Sequence, residues 1–184
     1  GIASAYISLG IAHRMHMDFE SKKVVFLAGL VHDIGMLHID PDIVKRQGKL
    51  EPDEWRAMQA HTVIGYKLLD ELPRLPEGVA TAVLEHHERT DGAGYPMGRV
   101  GRQLSLQGQI LAMSDSVFAI YTNRLIKAGR SFKEVLPILQ MNSTVHFYHV
   151  YQAFVAVLNG AGLPDKRTMD DEKTVSLADN IVQN

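Results

Sequence analysis

His86-His87-Glu88-Arg89-Thr90-Asp91-Gly92-Ala93-Gly94-Tyr95-Pro96 closes an apolar helical stripe and opens a glycine-rich loop in one continuous run. Upstream, Val79, Val83 and Leu84 follow a start at Pro76 and Glu77 and carry helical spacing into the histidines. His87 falls on that stripe and His86 on its adjoining edge. Downstream, the glycines between 91 and 101 read as a loop. Two neighbouring imidazoles at one helix end can point to one site. A solvated polar helix end, with Glu88 and Arg89 in water, accounts for the pair equally well.

Helical spacing extends outward in both directions. Ala3, Ile7, Ile11 and Met15 recur every fourth residue over 3–17. Asp18 is placed to cap a second helix carrying Val24, Val25, Leu27, Ala28 and Val31 up to His32, with Gly35 set to end or bend it. Residues 37–50 read as a loop. Pro52, Asp53 and Glu54 open a helix over 52–72 with Trp55, Met58, Gly65, Leu68 and Leu69 on one side. Residues 104–122 read as a helix, Ser131 with Glu134 as a capping box, and Tyr148 to Leu158 as the last long helix before Asn159-Gly160. No alternation demands a sheet, and the fold class is all-α. The expected organisation is one domain over 1–164 and a polar tail over 165–184.

Bulk composition narrows the function. The 184 residues are 46% apolar and 22% charged, with a formal net charge of -2. That excludes a general basic surface for a nucleic acid polymer and a polybasic membrane patch. No apolar run reaches transmembrane length. The absence of Cys removes disulfides, thiolate ligands and a cysteine nucleophile, and is compatible with the expected location, a reducing cytoplasm. The chain starts at Gly1 and is read as processed or excised, with a regulatory domain expected upstream.

Other ionisable residues break the apolar pattern. His32-Asp33 ends the second helix, where an aspartate meets the negative end of the dipole unless a cation compensates it. His61 shares a face with Met58, Gly65 and Leu68; alone, it is more simply a core histidine bonded to a backbone carbonyl. Asp115 lies on the face of Leu111 and Phe118, where an ionised carboxylate needs a metal or an internal salt bridge. Together these fragments supply four imidazoles and two carboxylates from four helices. That is first-shell chemistry for two metal ions, with Asp33 able to bridge.

The set resembles the HD-GYP branch of the HD phosphohydrolase superfamily. The matching text is HDIGM at 32–36, His61, HHERTDGAGYP at 86–96 and Asp115, within a span from Ala12 to Lys127. The resemblance implies an HD-domain-like helical bundle holding two or three divalent ions, iron or manganese, in its core. It implies a phosphodiesterase that opens cyclic di-GMP to pGpG and onward to GMP. His32, Asp33 and Asp115 would serve one metal; Asp33, His61, His86 and His87 would serve the other. A metal-held hydroxide would attack phosphorus. Asp91, Gly92, Arg124 and Lys127 would hold the nucleotide, while Gly94, Tyr95 and Pro96 would fix the loop or meet a signalling partner.

Departures from the family pattern bear on activity. Met36 stands where the family has Lys, and one lost charge-assisted contact costs about 1.5–3 kcal/mol, roughly ten- to a hundredfold in affinity or rate. A further family His falls, by register, just before Gly1, so the first helix is read as truncated. The segment after Arg124 lacks the family's Pro-Tyr pair. Two other functions therefore compete with cleavage of cyclic di-GMP: a non-catalytic receptor or partner-binding domain, and a phosphohydrolase of another nucleotide. His13, His16, His38, His146 and His149 are read as surface or packing residues.

Overall fold

Asp18 fixes the chain's first turn: its carboxylate accepts the Ser21 amide at 2.9 Å and starts the second helix. In this computed structural model, residues 1–122 and 148–160 are described. Helices α1 (Ile2–Arg14) and α2 (Phe19–Val31) pack together, followed by a 3-10 turn at Ile34–His38. Then come α3 (Pro41–Val44), α4 (Pro52–Gln59), α5 (His61–Asp70), α6 (Val79–Glu85), α7 (Leu106–Ile120) and α8 (Tyr148–Leu158). Among the described residues the only strand-like pairing is an isolated bridge between Asp91 and Val100, so the all-α expectation holds.

Two apolar cores adjoin along α7. Ile110, Met113 and Val117 pack with Ile11, Val25 and Phe154. Leu111 packs on the other side with Val24, Ala28, Leu69, Val79 and Val83. Full burial of each such side chain contributes about 1.5–3 kcal/mol. Inside the bundle, Ser8 Oγ donates to Ser114 Oγ at 2.9 Å and links α1 to α7.

Several elements differ from the sequence reading. The helix expected over 52–72 breaks at Ala60. There His61 Nδ1–H donates to the Met58 carbonyl at 2.7 Å and Thr62 Oγ1–H to the Gln59 carbonyl at 3.1 Å. These side chains take carbonyls that a continuous helix would bond by backbone. The break separates the registers of the two halves, so Trp55 and Leu68 are exposed rather than on a common buried side. The next helix starts at Val79, not Pro76, because Gly78 at φ 94 holds a left-handed backbone that no helix propagates. It ends at Glu85, so His86 and His87 follow it. The stretch read as a loop over 37–50 contains the end of the 3-10 turn and α3, whose cap Asp40 accepts the Asp42 amide. Ser131, Glu134, His146 and the tail over 165–184 lie outside the described residues.

Gly35 does not end α2, which stops at Val31. It lies against α5, where a Cβ would meet the His61 carbonyl oxygen at 2.0 Å and the Gly65 nitrogen at 2.7 Å. Only a bare Cα lets the turn carrying Asp33 lie this close to His61. Gly35→Ala is expected to lower stability by roughly 1–3 kcal/mol, as overpacking of a tight contact does. Urea denaturation checks this; an unchanged midpoint contradicts it.

Candidate metal centre

The helix ends deliver their ionisable side chains to one place. His32 follows α2, Asp33 opens the 3-10 turn, His61 starts α5, His86 and His87 follow α6, and Asp115 projects from α7. His32, His61 and His86 are buried, His87 is half-buried, and the Asp33 and Asp115 side chains are 54% and 24% exposed. The carboxylates thus face the open side of a nest of imidazoles.

Three of the imidazoles are aimed by one device. Nδ1–H of His32, His61 and His86 donates to the carbonyl three residues back: Gly29 at 2.9 Å, Met58 at 2.7 Å and Val83 at 2.6 Å. Each bond fixes the ring and turns Nε2 into the cluster. His87 is held by stacking on Tyr95, at 4.8 Å between centroids and 29° between planes.

Asp33 divides the cluster in two. Its Oδ2 lies 3.2 Å from His32 Nε2, and Asp115 Oδ1 lies 3.4 Å from the same nitrogen. Its Oδ1 faces His61 Nε2 at 4.0 Å. Ligand atoms of His61, His86 and His87 all lie within 4.8 Å of one another. The six residues expected to bind metal are therefore brought together.

The donor set fits a cation. Nε2 of His61 and Nε2 of His86 face each other at 3.3 Å, and each ring has committed its Nδ1–H to a carbonyl. Two lone pairs at that distance repel unless positive charge stands between them. A proton is disfavoured there, because burial pushes the His86 pKa well below its usual value. Burial, with His61 nearby, brings His87 down to about 4. Both rings are neutral at pH 7, as ligands must be.

The carboxylate side behaves in the opposite way. Burial lowers the pKa of His32, but hydrogen bonds to Asp115 and Asp33 outweigh it and raise the value to about 10. Burial likewise pushes Asp33 up, and His32 overrides it, holding that carboxyl below the usual range.

The loop over 91–105 is clamped by two glutamates that the sequence reading left unassigned. Glu88, in water under one of the two equal readings of this helix end, is buried and accepts the amides of Met97 at 2.6 Å and Arg99 at 3.0 Å. Glu85, equally buried, accepts from Arg99 Nη1 at 2.7 Å and from the Ser105 amide and hydroxyl at 2.9 and 2.6 Å. Asp91 turns back on its own loop, accepting from the Ala93 amide and pairing with Arg89 at 3.1 Å. These two partners, in that order, lower its pKa. Gly94 and Tyr95 line a cleft of about 340 Å³ whose floor includes His86 and His87. His16, His38 and His149 are exposed, as read. Arg124 and Lys127 lie outside the described residues.

Residues 4–148 match the family described as HD domain. The chain belongs to the HD domain family. This HD domain is 33% identical over 153 residues to a cyclic di-GMP phosphodiesterase of Thermotoga maritima, covering 82% of the chain and 41% of that protein. It is 33% identical over 130 residues to 3'3'-cGAMP-specific phosphodiesterase 1 of Vibrio cholerae, covering 71% of the chain and 30% of that protein. Its fold matches a solved HDG"Y"P protein from Bdellovibrio bacteriovorus with a TM-score of 0.71 at 17% identity, covering 86% of this chain and 51% of that one. The chain thus spans well under two thirds of the length of each. The HD-GYP recognition made from His86 to Pro96 is borne out.

Two expected outcomes follow from this site. In metal-free protein His32 keeps its proton below about pH 10, and a metal needs that Nε2 lone pair. Uptake at pH 8 should therefore release a proton, and apparent affinity should rise by about tenfold per pH unit up to that pKa. Indicator-dye titration in weak buffer measures the release; uptake with none contradicts the assignment. Separately, Glu88→Ala removes the acceptor of two part-buried amides and should lower stability by roughly 1–3 kcal/mol in all, read as a reduced denaturation midpoint.

Proposed function

We propose that this HD domain hydrolyses a phosphodiester bond of cyclic di-GMP, giving pGpG and, on further cleavage, GMP. The observation that carries the reading is the splitting of Asp33, whose two oxygens face two separate nitrogen sets. That geometry supports two divalent ions, iron or manganese, one held by His32, Asp33 and Asp115 and the other by Asp33, His61, His86 and His87. Bound there, the ions would supply an activated water and charge for the phosphate oxygens.

The chain's own groups do the rest. The carbonyl latches hold three rings in one orientation, so little reorganisation accompanies binding. Burial, with Asp115 and Asp33 nearby, pushes the Tyr95 phenol above its usual pKa. It stays protonated at neutral pH and can donate to an anionic oxygen. Asp91 and Gly92 act through the loop, and Arg124 and Lys127 take the phosphates. A cytoplasmic setting and an upstream regulatory partner belong to the same reading.

A second substrate is favoured by a specific observation: a relative of equal identity is named for 3'3'-cGAMP. A substrate panel decides between the two by the ratio of kcat/KM. The receptor alternative rests on Met36, a neutral residue of the 3-10 turn. Asp33→Ala should reduce cleavage of cyclic di-GMP by roughly a thousandfold, since several kcal/mol of metal stabilisation is lost. Wild-type protein that binds cyclic di-GMP with metal present but leaves it uncut would sink the phosphodiesterase and favour the receptor.

A further inference from the structure

Helix α4 buries none of its residues, yet its position is secured. Glu54 accepts the Glu51 amide at 2.9 Å and pairs with Arg46 at 2.5 Å. What the helix presents inward is Trp55 and, one turn on, Gln59, and both line the cleft above His86 and His87. Trp55 is 47% exposed, and its ring makes a T-shaped contact with Tyr95 at 5.9 Å between centroids. Tyr95 in turn stacks on His87. The indole therefore lines the cleft on a residue that keeps exposed surface, a single aromatic ring away from a candidate metal ligand. The Gln59 side-chain amide has no hydrogen-bond partner among the described residues.

We propose that Trp55 and Gln59 form the base-recognition wall of this cleft, the indole stacking on a purine and the amide reading its hydrogen-bonding edge. The inference rests on the cyclic-dinucleotide reading for its substrate class. A phosphate at the imidazole floor leaves its ribose and base directed toward the rim, where Trp55 stands. Base stacking on an aromatic side chain tolerates any base, so the platform supplies affinity. The amide supplies choice: it offers a donor and an acceptor together, which guanine and adenine meet differently. The cleft volume of about 340 Å³ is in the range of small-ligand sites.

Trp55 is the sole tryptophan of the chain, so indole emission reports on this wall alone. Metal-loaded protein is titrated with GMP, AMP and ribose 5-phosphate. Saturable quenching is expected from GMP and AMP, unequal between them, with none from ribose 5-phosphate. Gln59→Leu should bring the two nucleotides close to equal. Trp55→Ala should raise KM for cyclic di-GMP roughly tenfold with kcat unchanged, the signature of lost uniform binding, while Trp55→Phe retains most of the affinity. An equal emission change with ribose 5-phosphate, or an unchanged KM in Trp55→Ala, overturns the proposal. Quenching by the nucleotides alone, in protein that cleaves no cyclic dinucleotide, upholds the wall and defeats the phosphodiesterase reading.

Discussion

Three imidazoles in this chain donate Nδ1–H to the carbonyl three residues earlier, and the site depends on where those bonds turn the opposite nitrogens. Each bond uses one of the last four carbonyls of its helix, the groups whose regular i+4 partners run out at the helix end. The rings cannot rotate freely, and their Nε2 atoms converge on one another and on Asp33. The opposition of two ring nitrogens at 3.3 Å, on rings that have each committed Nδ1–H to a carbonyl, is unfavourable by itself. It persists because the surrounding helices set it, which is how a protein prepares a cation site before the cation arrives.

The same logic extends to the loop. Glu85 and Glu88 stand on either side of the α6 end, and their oxygens gather amides of Met97, Arg99 and Ser105. Buried carboxylates are tolerated there because each is met by several donors. Fixing the chain beyond Tyr95, whose own amide donates to the His87 carbonyl at 3.2 Å, holds that ring against His87 and sets the wall facing Trp55. Imidazole cluster and loop are thus parts of one rigid unit, joined through the two residues that follow α6.

Much of this unit was legible in the sequence because polar residues stood on apolar faces. His61 shows why single residues mislead: it is a core histidine bonded to a backbone carbonyl and also points into the cluster, so both readings of it hold. Trp55 and Leu68 were misplaced because a periodicity argument assumes one unbroken register, and side-chain bonds at His61 and Thr62 end that register at Ala60. Glu88 was missed for a different reason. Its partners are backbone amides, which carry no sequence signature. The available signal was a glutamate directly before a loop whose N–H groups had to find acceptors. The close approach at Gly35 was equally hidden, since it depends on packing between segments far apart in the chain.

Asp33 is proposed to join two metal positions. Anomalous diffraction from crystals loaded with manganese tests it most directly. Two peaks are expected to flank the Asp33 carboxylate, one beside His32 and Asp115 and one beside His61, His86 and His87. A single peak, or peaks away from Asp33, would contradict it.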